Sequence, residues 1–397
     1  MDFSLSSDQL LIKESVDRFV GDAYGAERRR AIVAGNEGFS RDHWRTFASL
    51  GWLGIALPES QGGFGGSPVE SMILMEAFGR GLVVEPYLPT VVLGGNALAF
   101  GGAHGDLLEQ MIEGELLLSL AYAEDGSRYD EGLVETRARR DGDDLVIDGK
   151  KRGVLFGAVA DKLVVSVRTR GLSRDRHGIT LVLVDGDAPG VRRRDYRTVD
   201  GGRASDVVFS GVRVGPQAIV GELDGGLAIL ERTLDYGIAA LAAEAVGIMS
   251  VMHATTVDYL KARTQFGVPI GSFQVLQHRA VDMLMSLEMA RSMCYYGTMA
   301  LSSSESDPER RRALSATKVQ IARSGRYVGQ QAIQLHGAIG MTEEYHVGHY
   351  FKRMSMIELA LGDVDHHLRR YVALGRIEDR AERPPDVAPP VAAESFA

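Results

Sequence analysis

The stretches KLVVSVRT (Lys162–Thr169) and GITLVLVD (Gly178–Asp185) decide how this chain is read. Each is short, dense in branched apolar residues and bounded by charged or glycine-bearing turns, which is the pattern of a buried strand. The same texture extends outward from about residue 116 to 221. LLLSLAYA, LVETRARR and DLVIDG come before, ASDVVFSGVRV follows, and Asp-Gly or Gly-Lys turns separate them. Six or more such strands at regular spacing predict a small antiparallel barrel or sandwich, not a parallel sheet threaded by helices.

On both sides the apolar period becomes helical. SSDQLLIKESVDRFV opens with a serine cap and places Leu10, Leu11, Val16, Phe19 and Val20 at helical spacing. PESQGGFGGSPVESM breaks this pattern with Pro58 and four glycines, and Ser67-Pro68 restarts a helix. From about 223 the runs are long: Gly226–Arg263 would extend about 55 Å at the usual helical rise, and such a helix needs a bundle around it. Further runs start at Ser272 and at Asp307-Pro308, an N-cap followed by proline. IEDRAERPPDVAPPVAAESFA, rich in proline, alanine and charge, predicts a disordered tail. The expected organisation is α+β: an all-α domain over 1–115, an antiparallel β-barrel or sandwich over 116–222, a four-helix bundle over 223–375 and the tail over 376–397.

The 397 residues are 45% apolar and 24% charged, ordinary values for a globular chain. A net charge of −9 argues against general nucleic-acid binding, while leaving room for a local basic groove around a phosphate-bearing cofactor. The single cysteine, Cys294, has no partner for an internal disulfide and lies in an apolar helical run, so a buried thiol and a cytoplasmic setting are expected. MDFSLSSDQLLIKESV lacks a basic region followed by an apolar run, and the sequence reads without an apolar stretch of about 18 residues, so no membrane span is expected. One segment, IELALGDVDHH (Ile357–His367), offers two readings. Asp363, His366 and His367 share a helix face and could hold a divalent metal. Alternatively Asp363 is an N-cap, with Leu368, Tyr371 and Leu374 turned inward, and local pattern favours this cap.

Three motifs carry a resemblance: GWLGIALPESQGGFGG (Gly51–Gly66), LKARTQFGVPIGSFQVLQH (Leu260–His278) and QQAIQLHGAIGMTEEY (Gln330–Tyr345). In this order and on this architecture, residues 1 to 375 resemble the acyl-CoA dehydrogenase flavoproteins. Whole segments are similar, more narrowly, to the small subunits of pimeloyl-CoA dehydrogenases, each one half of a two-subunit enzyme. The resemblance implies FAD, an acyl-CoA substrate losing its α-proton to a carboxylate and its β-hydrogen as hydride to the flavin, and an electron-transfer flavoprotein as acceptor. It also implies an FAD shared between subunits, one cradling flavin and substrate while its neighbour reaches the pyrophosphate and adenosine.

On the reaching side the motifs are intact. Arg263, Gln265 and Phe266 stand in R-x-Q-F-G, Gln274 follows at the family's spacing, and Gln334, Gly337 and Gly340 match Q-x-x-G-G-x-G with Ala338 replacing one glycine. Arginine suits phosphate oxygens, and glycines let backbone N–H groups approach a dinucleotide. On the cradling side the match fails. T-E-P-x-x-G-S-D is AEDGSRYD, with Ala123 at the threonine and Arg128-Tyr129 at Gly-Ser. G-K-K-x-W-I-T is GKKRGVL, with Gly153 at the tryptophan and Leu155 at the threonine. Ile238 replaces a substrate-side arginine. Leu361 stands at the catalytic glutamate, and Gly237 at the position some relatives use instead. No catalytic residue is therefore assigned. Asp235, Glu244, Glu358 and Asp363 are alternative carboxylates, and the GDVDHH segment falls on the family's post-glutamate helix start, where the metal reading recedes.

The expectation is a subunit that completes a homologous partner's FAD site, in an α₂β₂ assembly. Two alternatives stand beside it: a self-sufficient homotetramer with a relocated carboxylate, and a non-redox acyl-CoA-binding or assembly protein.

Overall fold

The computed structural model describes residues 4–102, 104–302 and 307–381, with side chains to residue 375. The first part is helical: α1 (Ser7–Ala23), α2 (Ala26–Ala34), α3 (Arg41–Ser49), α4 (Pro68–Gly81), a wide-turn run over Leu88–Gly95 continued by α5 (Asn96–Gly101), and α6 (Gly105–Ile112). Helix α1 starts at a capping box: Ser6 Oγ accepts from the Gln9 N–H and Gln9 Oε1 from the Ser6 N–H. Ser67 and Glu70 repeat that device at α4, with Pro68 in the first turn. Phe47, Trp52, Phe78 and Tyr87 form the aromatic centre of this part.

The strands are β1 (Leu118–Ala121), β2 (Arg137–Asp141), β3 (Asp144–Leu155), β4 (Lys162–Arg168), β5 (Ile179–Asp185), β6 (Val191–Arg197), β7 (Arg203–Val214) and β8 (Ile219–Val220). They form one sheet in the order β6-β7-β3-β2-β4-β5-β8, with β1 also on β4. Most pairs are antiparallel, but β1 and the start of β2 run parallel to β4, so the sheet is mixed. Strand β6, VRRRDYR, lacks an apolar alternation that the sequence could reveal. It is an edge strand, where arginines discourage pairing with another chain.

The bundle comprises α7 (Gly226–Ala262), α8 (Gln274–Ser302), α9 (Asp307–His336), α10 (Val347–Leu359) and α11 (Val364–Ala381), with a short β9–β10 hairpin (Thr264–Gln265, Val268–Pro269) after α7. Contrary to the sequence expectation, α7 is long and apolar enough to cross a membrane; 78% of its apolar window is buried in the bundle, which makes it a core helix. Helices α4 and α7 cross backbone to backbone. A Cβ at Gly79 would lie 2.0 Å from the Glu244 carbonyl oxygen, and one at Gly247 would lie 2.0 Å from that of Glu76. Helix α11 corrects the inward stripe expected from sequence. Leu368 is exposed and His367 is buried in its place, drawn in by a contact between its Nε2 and the Leu361 carbonyl (2.9 Å). Helix α11 continues past residue 375, and the remaining expected tail, 382–397, lies outside the described residues.

Candidate functional site

At one end of the bundle the chain turns sharply twice. Helix α7 ends at Ala262, Arg263 leaves it in extended conformation, and the hairpin turns through Phe266 and Gly267, both left-handed at φ 55° and 80°. Glycine fits that geometry and phenylalanine strains it. The Phe266 ring is nevertheless 92% exposed, with Phe273 edge-on at 6.2 Å. Gln274 then begins α8, and α9 reaches the same end, where His336 lies against Tyr259 at 4.5 Å between ring centroids. Gly337 follows with φ 66° and nothing within 4 Å of where a Cβ would be.

All seven residues singled out for the shared dinucleotide thus gather at one corner. Arg263, Gln265, Phe266, Gln274, Gln334 and Gly337 are exposed. Gly340 is buried, and a Cβ there would press on His336 at 3.1 Å, so this glycine packs the turn without opening it. Exposed guanidinium, amide and ring groups beside an open left-handed glycine suit a dinucleotide's phosphates and base.

The inward niche is built differently. A Cβ at Gly237 would meet Leu361 Cδ1 at 2.6 Å and Leu93 Cδ2 at 2.8 Å. The two positions at which relatives carry the base therefore face each other, and hydrocarbon fills the space between them. Leu361 is held there in the left-handed region at φ 56°. Its segment is pinned by Lys318, whose buried Nζ donates to the carbonyls of Glu358 (3.0 Å), Ala360 (2.8 Å) and Gly362 (2.6 Å). Burial pushes this lysine's pKa down to about 7, while three carbonyl acceptors match the three N–H groups of an ammonium. Sequence reading missed Lys318; its signal was a lysine inside the otherwise apolar and small α9 stretch LSATKVQIA.

Each alternative carboxylate is engaged. Asp235, fully buried, pairs with Arg370 (2.6 Å) and Arg310 (3.4 Å). Glu244 takes Arg353 through both oxygens, at 2.6 and 2.8 Å, and Arg353 also reaches Asp200 at 2.8 Å. Glu358 pairs with Arg326. Asp363 Oδ1 accepts from the His366 N–H (2.8 Å), which is the cap, and Oδ2 accepts from Arg128 (2.7 Å).

Two departures from the family pattern contact the start of α11. Arg128 and Tyr129, which stand where glycine and serine were expected, meet Asp363 and His366: the arginine by its ion pair, the tyrosine ring edge-on at 5.5 Å. Glu131 adds a pair to Arg311 at 2.8 Å. The loop after β1 is thereby fastened onto the bundle. Gly153, at the tryptophan position, has φ 61° at a bulge of β3, a geometry that disfavours any larger residue.

Three descriptions match along the chain: the N-terminal domain of acyl-CoA dehydrogenase at 6–115, the middle domain at 119–212 and the C-terminal domain at 224–373. The chain belongs to the acyl-CoA dehydrogenase family. It is 30% identical to a 3-(aryl)acrylate reductase of Clostridium sporogenes over 82% of this chain and 87% of that one. It is 28% identical to a probable acyl-CoA dehydrogenase, YngJ, of Bacillus subtilis over 91% and 96%. Among solved structures it is similar to a chain of the ChsE4-ChsE5 complex from Mycobacterium tuberculosis, at 26% identity and a TM-score of 0.84 over 97% of this chain and 100% of that one. Members of the family are FAD-dependent oxidoreductases with the three-domain architecture described above.

Proposed function

We propose that this chain is the subunit of a heteromeric acyl-CoA dehydrogenase that carries no base, and that it completes a homologous partner's FAD site. The observation carrying this reading is the contrast between the open corner at Arg263 and the niche filled by Leu361 and Leu93. Arg263, Gln265, Phe266, Gln274 and Gln334 would hold the dinucleotide end of the partner's FAD, whose flavin accepts the hydride removed from an acyl-CoA thioester. The fit rests on exposed cationic and amide groups, an aromatic ring without cover and the open Gly337 turn. The niche, by contrast, has hydrocarbon between Gly237 and Leu361, and the alternative carboxylates Asp235, Glu244, Glu358 and Asp363 are each paired.

Helix α8 supports a partner on this side. Val275, Met285 and Met289 along it are 60%, 58% and 51% exposed. Large apolar groups aligned on one face mark an interaction surface. The ChsE4-ChsE5 structure is a complex, which makes a two-subunit assembly a natural form for this fold. An α₂β₂ arrangement, an electron-transfer flavoprotein as acceptor and a functionalised acyl group, the last from the pimeloyl-CoA dehydrogenase resemblance, complete the proposal.

The test compares the chain expressed alone with the chain co-expressed with a homologous subunit encoded beside it. The expected result is little flavin colour alone, and FAD retention with acyl-CoA oxidation in the pair. Full FAD occupancy and turnover by the lone chain would overturn the reading.

A further inference from the structure

The two arms of the Arg263 corner come from different elements, and little of either arm is buried. Gly337–Met341 is a short turn in which Gly340 alone is buried, while Ile339 and Met341 are 41% and 70% exposed. Arg263 leaves the end of α7 in extended conformation. The arms are joined through a cluster of rings, Tyr259 near the end of α7, His336 at the end of α9 and Tyr345 on the approach to α10.

His336 is 3% exposed and engages both ring nitrogens. Nδ1 lies 2.8 Å from the Ala332 carbonyl oxygen, which can only accept, so Nδ1 carries the proton. Nε2 is then an acceptor, and the Tyr345 hydroxyl donates to it at 3.2 Å. Burial lowers the pKa of this imidazole from its ordinary value, which keeps the ring neutral at pH 7. His336 and Tyr345 thereby tie together the two ends of the Gly337 turn. Tyr259 links that tie to the other arm: its ring centroid is 4.5 Å from that of His336 and 6.4 Å from that of Tyr345, and its backbone carbonyl accepts from the Arg263 N–H at 2.8 Å.

We propose that His336 and Tyr345 are positioning residues for the dinucleotide corner, which hold the Gly337 turn in register with Arg263 through Tyr259. The inference rests on the corner's role in a partner's FAD site. Both side chains act through the backbone they hold, so that two sets of donors are in place before the cofactor arrives. A turn cut loose at one end must be ordered on binding, and that ordering is lost from the affinity.

Titration of FAD into the apo form of the co-expressed complex, followed by flavin fluorescence, tests this. Tyr345→Phe keeps the ring, removes the hydroxyl and should weaken FAD binding about fivefold, the worth of one neutral hydrogen bond. His336→Leu should weaken it at least as much, and the double variant no more than His336→Leu alone, because the two changes break one shared bond. His336→Gln, whose amide oxygen can still accept from Tyr345, should recover part of the loss. Ring ¹⁵N spectra of the lone chain should show His336 neutral and protonated at Nδ1. A ring protonated at Nε2, independent effects of the two single changes, or a Tyr345→Phe variant that melts earlier with FAD affinity unchanged would each overturn the proposal. Arg263→Ala in the same complex separates the two readings. If it weakens FAD binding and Tyr345→Phe does not, the positioning role falls and the corner stands; if it too leaves FAD binding unchanged, the corner falls and the positioning role with it.

Discussion

The outward corner at Arg263 and the inward niche at Leu361 come from the same bundle and treat polar groups in opposite ways. In the corner, a guanidinium, amides and a strained phenylalanine stand in solvent, where they contribute little to this chain's own stability. In the niche every candidate carboxylate is locked to an arginine or a backbone N–H, and the base positions are hydrocarbon. Groups held back from a chain's own fold are available to another molecule, whereas groups embedded in ion pairs serve the fold. The contrast therefore predicts that niche variants change stability, and corner variants change cofactor retention.

The largest effect should come from Asp235→Ala. This carboxylate is fully buried between Arg310 and Arg370, and its removal takes the ion pair from Arg370 and leaves Arg310 with the exposed Asp307 alone. Breaking such a buried arrangement costs about 3–5 kcal/mol, to be read as a drop in the urea midpoint. A variant that kept its stability and lost turnover would instead make Asp235 catalytic and break the comparison.

Next is the pH response of Glu85, which lines a small cavity behind Leu155 and Phe156. Its carboxyl is buried, accepts from the Tyr24 hydroxyl and lies 3.1 Å from His43 Nδ1; burial raises its pKa to about 7. Between about pH 4.5 and 7 the folded chain thus binds a proton that the unfolded chain releases, so stability is fully present below this window and falls as pH rises through it. The fall should amount to about 3 kcal/mol, and Glu85→Gln should flatten it in denaturation curves taken across that range.

Arg263→Ala addresses the corner. An exposed side chain at a helix end should change the melting temperature hardly at all. In the assembled complex the loss of a charge-assisted contact should weaken FAD retention by about 10- to 100-fold, seen as flavin lost on dialysis. Unchanged retention would leave the corner as mere surface.

The α/β/α order was legible because hydrophobic period changes from helix to strand and back, and the corner was legible because R-x-Q-F-G and the glycine loop are contiguous motifs. What stayed hidden depends on contacts between distant segments. Strand β6 carries no apolar alternation, since it covers an edge. The match of Arg128-Tyr129 to Asp363-His366 joins positions 235 residues apart, and no local pattern encodes it. Lys318 was missed because its three carbonyl acceptors belong to the end of another helix and the turn after it, which the local sequence around Lys318 does not show. Leu368 was read as inward because apolarity alone cannot show that a buried histidine, bonded to the Leu361 carbonyl, takes that place.

The smallest effect separates two roles of one residue at the niche's edge. Asp363 caps α11 through the His366 N–H and holds Arg128 through its other oxygen. Asparagine can cap as well as aspartate but carries no charge, so Asp363→Asn should lose only the exposed ion pair, a few tenths of a kcal/mol. Asp363→Ala removes both and should cost about 1 kcal/mol more, most of it the cap. Measured melts in which both variants fell equally would place the weight on the Arg128 contact. Fastening of the β1 loop onto the bundle, and not the start of α11, would then be what keeps the niche shut.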